Sequence, residues 1–339
     1  MHRTDWLPLF AVGLLLTVTA SQSREVAAEG GGLSEVELEQ LANLPEEQID
    51  IGQVALFLAT EVFPGLDVNK YSAQLDGFVK EIRDFTRGST DSDYRIRAMN
   101  TYLYKRQGFH YDKSDPLAQQ LMNRYLNGLL DTQAGSCTTM PLLYLALAQR
   151  LGYPVYPVAA PQHLFCRYAA ADVKEQNIEA TEGGGYSSDA DYIRDMEIPT
   201  LGIKSGAYLS TMTYRQLVGD LIAENGSYWA RQKDFVRAIK YYIIAVRLNP
   251  NAAEVYQMLS QAYRQLARDY QAVTPAQLPI NVPVLQFTQQ LYTGYVQGYL
   301  QDAEEAFQRA EELGAAEPLN GDYQLRQQEL ARSKRKGQE

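Results

Sequence analysis

The stretch GSCTTMPLLYLALAQRLGYPVYPVAAPQHLFCRY, residues 135–168, holds both cysteines of the chain and one of its three histidines. A thiol can act as a nucleophile and an imidazole as a general base, so Cys137 and His163 could carry out nucleophilic catalysis together. Two other interpretations stay open. Cys137 and Cys166 could form a structural disulfide in an exported protein, or the residues could be buried and unrelated.

The element that follows Cys137 is predicted to be a helix. The apolar run PLLYLALAQRLG has Arg150 near its end and stops at Gly152, as helix C-termini often do. Cys137 would then lie in the first turn, where unpaired backbone N–H groups and the helix dipole favour a thiolate. The same N–H groups could hold the oxyanion that forms when a thiolate attacks an acyl carbon.

Strands are predicted after this helix, in YPVYPVAA, HLFCRYAA and NIEAT. The alternation of side chains along a strand places His163 on the same face as Phe165, and Cys166 on the opposite face with Leu164. Cys166 should therefore not share the pocket of His163. Helices followed by a small sheet predict an α+β domain.

Glu179 is the candidate acid of a catalytic triad. If the hairpin between HLFCRYAA and NIEAT turns about Ala171, Glu179 lies directly opposite His163 on the same face. A carboxylate there would orient the imidazole and stabilise its protonated form. This assignment depends on the register of the hairpin.

The charge balance and the remaining motifs point away from several other functions. The 339 residues include 31 basic and 41 acidic side chains, a net charge of −10, which provides no electrostatic basis for binding nucleic acid. His2 and His110 have no partner at ligand spacing, so no metal site is predicted. The glycine run after Glu182 lacks P-loop spacing, so no phosphate-binding cofactor is predicted either.

The N-terminus has the pattern of a secretory signal peptide over residues 1–20. Arg3 precedes an apolar run from Trp6 to Ala20, which is shorter than the roughly 18 apolar residues that usually span a bilayer. We therefore expect an exported protein, periplasmic or secreted, with a membrane anchor formed by residues 6–20 as the alternative. Residues 21–44 are assigned to a linker, because the stretch 21–34 is small, polar and rich in glycine.

The chain is predicted to divide into a domain over 45–210, a helical region over 211–316 and a tail over 317–339. The helical region matches the spacing of a tetratricopeptide repeat, with a second repeat beginning near Ala253. A generic helical hairpin is the alternative. The matching positions are Gly226, Trp229, Ala238, Tyr242, Ala245 and Pro250.

At this point the sequence resembles a known family. The transglutaminase-like superfamily has the same order of site residues: a cysteine at a helix start, a histidine on the next strand and an acid on the strand after it. The segments FPGLDVNKY, NTYLYKRQGF, NIEATEGGGYSSDADY and the stretch that carries Cys137 and His163 are similar to its bacterial SirB-type branch, which is often fused to tetratricopeptide repeats. The similarity covers about residues 45–250. This sequence has Gln162 before the histidine, where the branch usually has glycine, and glutamate as the acid, where many members have aspartate.

The resemblance implies Cys137 as nucleophile, His163 as general base and Glu179 as the acid. The expected function is thiol-dependent acyl transfer to an amine, or hydrolysis, at an amide bond of a protein or peptide. The repeats would bind a protein or peptide partner, and no cofactor is implied. The alternative is a non-catalytic scaffold that works through the repeat surface.

Overall fold

The computed structural model describes residues 33–174, 176–272 and 282–315. The predicted signal peptide, residues 1–20, and the predicted tail, residues 317–339, lie outside this range. Within it, no helix combines the length and the apolar character that crossing a bilayer requires.

Helices make up most of the described chain, and a small sheet interrupts them. The helices before the sheet are α1 (Glu35–Ala42), α2 (Ile51–Ala59), α3 (Val68–Thr86), α4 (Ser92–Asn100), α5 (Leu126–Thr132) and α6 (Thr139–Leu151). Those after it are α7 (Asp189–Asp195), α8 (Thr200–Lys204), α9 (Tyr214–Arg231), α10 (Phe235–Leu248), α11 (Ala253–Ala272) and α12 (Val282–Glu312).

Helix α1 lies inside the range 21–44 that was predicted to be a linker, so its last part is a folded element instead. Ser34 and Glu37 form a capping box, in which each side chain accepts a hydrogen bond from the backbone N–H of the other residue. Leu38 and Leu41 are then buried in the main core. Capping and burial together turn this segment into part of the domain.

Helix α6 is the central helix of the N-terminal domain. Its residues from Thr139 to Ala148 are all buried, and the helix packs against α2, α3 and the sheet. Gly152 ends it in the left-handed conformation, with φ 72°, as the sequence indicated. Arg150 in its last turn forms an ion pair with Asp50, the N-cap of α2.

The stretch LAQQLMNRYLNGLL, residues 117–130, has apolar residues at the spacing of a helix, but only its later part is helical in the structure. A 3₁₀ turn, Leu121–Arg124, precedes α5, and the residues before this turn are not helical. The cause is Asp115, whose carboxylate accepts the backbone N–H groups of Gln119 and Gln120 at 2.8 and 2.9 Å. A side chain that satisfies these groups competes with helix formation.

Two short strands, β1 (His110–Tyr111) and β2 (Ala134–Gly135), pair in parallel just before α6. Strands β3 (Val155–Ala160), β4 (His163–Tyr168) and β5 (Asn177–Ile178) form an antiparallel sheet in the order β3-β4-β5. Ala160 pairs with His163, so Pro161 and Gln162 make the turn between β3 and β4.

The hairpin from β4 to β5 is centred on residue 172, one position beyond the expected turn at Ala171. Cys166 pairs with Ile178, and the strand then ends, because Glu179 caps the 3₁₀ turn Ala180–Glu182. A shift of the centre by one whole residue moves each partner by two positions and keeps the face of every side chain. Glu179 therefore faces the same side as His163, diagonally and not directly opposite.

Helices α9 to α12 follow the sheet and continue the same hydrophobic core. Leu221, Tyr241 and Leu259 are buried in one cluster with Leu56 and Leu145 of the N-terminal domain. A second cluster covers the His163 face of the sheet and includes Val158, Phe165, Tyr192, Tyr208, Ala253 and Leu313.

Candidate active site

Cys137 lies just before α6 and is partly exposed. Its Sγ atom is 3.5 Å from the carbonyl oxygen of Gln162, in the turn between β3 and β4. The Oγ atom of Ser136 accepts the backbone N–H groups of Thr138 and Thr139, each at 3.2 Å. These two N–H groups at the helix start, which we expected to face an oxyanion, are therefore engaged by the serine.

His163 stands at the first position of β4 and connects Cys137 to Glu179. Its Nε2 atom is 2.7 Å from Oε2 of Glu179, and the two side chains are 11% and 6% exposed. Cys137 is close enough to His163 to help raise the pKa of the imidazole. Because Glu179 engages Nε2, the remaining ring nitrogen, Nδ1, is the one available to the thiol. The structure thus brings together the three residues that the sequence predicted as a triad.

Glu179 is held by more contacts than the sequence indicated. Its Oε1 atom accepts hydrogen bonds from the backbone N–H and the hydroxyl of Thr181, at 3.0 and 2.6 Å. Its Oε2 atom accepts the hydroxyl of Tyr192 at 2.8 Å, beside the bond to His163. The carboxylate is therefore fixed on both oxygens before it meets the imidazole.

Sequence reasoning missed Thr181 and Tyr192. Thr181 follows Glu179 by two positions, where its backbone N–H and its hydroxyl both reach the same carboxylate oxygen within one short turn. Tyr192 belongs to α7, and its ring stacks on Phe165 with a centroid distance of 4.1 Å. That contact arises from packing between a helix and the sheet, and no local pattern indicates it.

The glycine run after Glu182 shapes the loop that carries Glu179. Gly183 and Gly184 both have positive φ, 69° and 76°. The backbone N–H of Glu179 donates to the carbonyl oxygen of Gly185 at 2.7 Å, which closes the loop. Asn100 of α4 donates from Nδ2 to the carbonyl oxygen of Gly184 at 2.8 Å and ties the loop to the helical layer.

The electrostatics of the pair favour a charged imidazole. Burial alone would lower the pKa of His163, but the charge of Glu179, its hydrogen bond to the ring and the nearby side chain of Cys137 outweigh this effect, so the pKa of His163 is raised. Burial would raise the pKa of Glu179, but His163 and Thr181 outweigh this effect and lower it. The arrangement therefore stabilises an imidazolium next to a carboxylate, with a thiol on the other side of the ring.

The second cysteine takes no part in this arrangement. Cys166 is fully buried, and its Sγ atom is 3.6 Å from the carbonyl oxygen of Pro141 in α6. Both cysteines are free thiols. The structure therefore contradicts the disulfide interpretation.

Tyr111 lies next to the site on β1. Burial and the nearby charges of Cys137, Asp115 and Asp112 raise the pKa of Tyr111 to about 12, and its hydroxyl donates to the carbonyl oxygen of Pro116 at 3.2 Å. His110, its neighbour, is exposed. In the part of the chain that the structure covers, no cluster of three or more histidine, cysteine or acidic residues is arranged to hold a metal ion.

Comparison with known proteins identifies a family over part of the chain. Residues 69–220 match the family model of the transglutaminase-like superfamily. This range contains Cys137, His163 and Glu179 and ends inside α9. No solved structure matches the chain.

The matching relatives are distant. A protein of each of two Xylella fastidiosa strains, Temecula1 and 9a5c, both named UPF0162 protein, is 25% identical over 237 residues, 67% of this chain and 81% of the relative. F-box only protein 21 of Homo sapiens is 34% identical over 73 residues, which cover 22% of this chain and 11% of that protein. Residues 69–220 thus form a transglutaminase-like domain.

Proposed function

We propose that the protein is a thiol-dependent enzyme that acts on an amide of a protein or peptide substrate. It either transfers the acyl group to an amine or hydrolyses the amide bond. The observation that carries the proposal is the connected series Cys137, His163 and Glu179, in which a 2.7 Å hydrogen bond fixes the imidazole on the carboxylate. The match of residues 69–220 to the transglutaminase-like superfamily supports the same reaction class.

In the proposed reaction, Cys137 gives its thiol proton to Nδ1 of His163 before the substrate is attacked, which forms a thiolate beside an imidazolium, and the thiolate attacks the amide carbon. The C–N bond then breaks, His163 returns the proton to the leaving amine, and a thioester remains on Cys137. Water or a second amine attacks the thioester and releases the thiol. Glu179 keeps Nε2 hydrogen-bonded and stabilises the imidazolium in both steps.

The oxyanion requires donors other than the N–H groups that Ser136 engages. The backbone N–H of Cys137 itself is the nearest backbone donor to the attacking sulfur by covalent geometry. We propose it as one oxyanion donor.

We also propose that α9 to α12 form a tetratricopeptide-repeat module that binds a protein or peptide, and that the protein is exported through residues 1–20. Support for the repeat comes from Gly226 in α9, where a Cβ atom would lie 2.8 Å from the ring of Tyr242 in α10. Ala238 and Ala245 are fully buried, as small residues between closely packed helices are. Analysis of the N-terminus of the mature protein tests the signal peptide.

The test of the enzyme proposal is to incubate the protein with glutamine-containing peptides, with and without a fluorescent primary amine. Mass spectrometry then follows a thioester on Cys137, a labelled peptide and a hydrolysed peptide. We expect Cys137→Ala and His163→Ala to abolish all three, while Cys166→Ala, which changes the thiol outside the site, retains them. Equal product from Cys137→Ala and the wild type would refute the enzyme and leave the scaffold function.

A further inference from the structure

The turn that joins β3 to β4 has an unusual backbone conformation directly beside the candidate site. Gln162 adopts φ 53°, in the left-handed region that residues other than glycine, asparagine and aspartate seldom occupy. It immediately precedes His163, and its carbonyl oxygen is 3.5 Å from Sγ of Cys137. The orientation of this one residue therefore affects the positions of both the thiol and the imidazole.

A side chain from the C-terminal helices engages this turn. The backbone N–H of Gln162 donates to Oε1 of Glu254 at 2.8 Å. Glu254 is half-buried in the first turn of α11, and the hydroxyl of Tyr208 lies 3.5 Å from the same oxygen. The contact joins residues 92 positions apart in the sequence.

Glu254 is held in place from both sides. Ala253 packs in the cluster that covers the His163 face of the sheet, and Val255 packs in the main core. The start of α11 is thus fixed against the strands, which holds the backbone of Glu254 beside the turn. A backbone conformation that is rare for glutamine persists where its surroundings determine it in this way.

We propose that Glu254 is a positioning residue of the active site, which holds the Gln162 backbone and through it the Cys137–His163 pair in the reactive arrangement. The inference rests on the proposed function, since it concerns the same thiol and imidazole. Through Glu254, the helical region contributes to the active site as well as providing a surface for partners.

The chemistry of the contact suggests which replacements preserve it. Burial raises the pKa of Glu254 to about 7, although the hydrogen bond from the Gln162 backbone acts to lower this pKa. A neutral carboxyl and a carboxamide both retain an acceptor oxygen, so Glu254→Gln should keep most of the contact, whereas Glu254→Ala removes it. Gln162→Gly should make the contact dispensable, because glycine adopts positive φ without support.

Asp220 provides a matched control. Its charge is close enough to Glu254 to raise the pKa of that carboxyl, yet its own carboxylate accepts from Asn249 at 2.9 Å. Asp220→Asn therefore removes a nearby charge and leaves the acceptor of Gln162 in place.

The experiment measures two quantities in the full chain. One is the alkylation rate of Cys137 by iodoacetamide at pH 7, with mass spectrometry to assign the site. The other is hydrogen exchange at the Gln162 amide. We expect Glu254→Ala to slow alkylation about tenfold and to speed exchange, Glu254→Gln to change both much less, and Asp220→Asn to leave both near the wild type. Gln162→Gly in the Glu254→Ala background should restore the alkylation rate.

The proposal is overturned if Glu254→Ala leaves alkylation unchanged, or if the loss persists after Gln162→Gly is added. The second result would mean a general structural role. Thermal melting of each variant identifies any that does not fold, and Glu254→Gln with and without Gln162→Gly then supplies the comparison. If wild-type Cys137 reacts no faster than in His163→Ala, the proposed function fails, and exchange at Gln162 still decides whether Glu254 holds the turn.

Discussion

At the scale of single residues, Glu179 determines what His163 can do. Both side chains are almost completely buried, and burial by itself favours the neutral form of each. The pair is charged because the charge of each partner offsets the effect of burial on the pKa of the other. Thr181 and Tyr192 supply further donors to the carboxylate. Removing the charge of Glu179 should therefore lower the pKa of His163 instead of raising it.

This reversal can be measured by NMR titration of the histidine ring protons. In the wild type we expect the pKa of His163 above its ordinary value of about 6.5. In Glu179→Gln the largest influence, burial, acts without the opposing charge, so the pKa should fall below about 6.5. A pKa that is the same in both proteins would show that Glu179 does not control the charge of the imidazole. The resonance of exposed His110 should be unaffected by the substitution.

The hydroxyl of Tyr192 should contribute to stability through Glu179. Tyr192→Phe retains the ring that stacks on Phe165 and removes a buried donor to a carboxylate. We expect the free energy of unfolding in urea to fall by about 2 kcal/mol, as for other hydrogen bonds to charged groups. Tyr94→Phe is the control, because the hydroxyl of Tyr94 donates to a backbone carbonyl on the exposed surface, and less than about 0.5 kcal/mol should be lost there. Equal losses in the two variants would argue against a special role for the buried hydroxyl.

At the scale of elements, the parts of the site that depend on local patterns could be predicted from the sequence. The apolar run before Gly152 gives α6, and alternation around Pro161 gives β3 and β4 with His163 and Cys166 on opposite faces. Glu179 was paired with the right residue although the turn is displaced by one position, because a whole-residue shift preserves the face. The strand was expected to continue to residue 181, but it ends at Ile178 because Glu179 caps the 3₁₀ turn that follows. A pattern of apolar residues does not reveal such a cap.

Contacts between distant segments could not be predicted in this way. Tyr192 reaches Glu179 from α7, and Glu254 reaches Gln162 from α11, and both depend on how a helix packs on the sheet. Propensity and periodicity describe one segment at a time, so they contain no information about these distances. The Ser136 contacts are local, but a serine before a helix does not by itself show which backbone N–H groups its hydroxyl accepts, because that depends on the side-chain conformation.

The helix pair α9 and α10 allows an element-scale prediction with two glycines. Both Gly226 and Gly77 lie inside helices, where alanine is intrinsically better by about 1 kcal/mol. A Cβ atom at Gly226 would lie 2.8 to 3.0 Å from atoms of Tyr242 and Tyr241, whereas nothing lies within 4 Å of one at Gly77. We expect Gly226→Ala to lower the free energy of unfolding by about 1 to 3 kcal/mol, and Gly77→Ala to raise it. A stabilising Gly226→Ala would mean that the two helices are not packed this closely.

At the scale of the whole molecule, a buried carboxylate joins the C-terminal helices to the N-terminal domain. Glu61, just after α2, is 9% exposed. It accepts hydrogen bonds from Asn225 at 2.8 Å, Trp229 at 2.6 Å and Tyr241 at 2.6 Å. Burial raises its pKa in spite of these donors. The core that surrounds it contains side chains from both regions, which indicates that they unfold together.

Two probes can test this cooperativity. The chain has two tryptophans, so in a Trp6→Phe background the fluorescence of Trp229 reports on α9. In the same protein with Cys137→Ala, pulse labelling of buried Cys166 reports on the sheet. We expect both probes to give the same midpoint in urea. Separate midpoints would mean that the regions predicted over 45–210 and 211–316 are independent domains.

Replacing Glu61 by alanine should destabilise both regions by the same amount. The substitution leaves the donors of Asn225, Trp229 and Tyr241 without their carboxylate, and we expect a loss of about 3 kcal/mol at both probes. Glu81→Ala is the control, because the Glu81–Arg106 ion pair is exposed and should contribute little. A shift at Trp229 alone would show that the helices can detach while the sheet stays folded, and Glu254 could then leave the Gln162 turn without global unfolding. A joint shift means that the site and the helices persist or unfold together, as a positioning role for Glu254 requires.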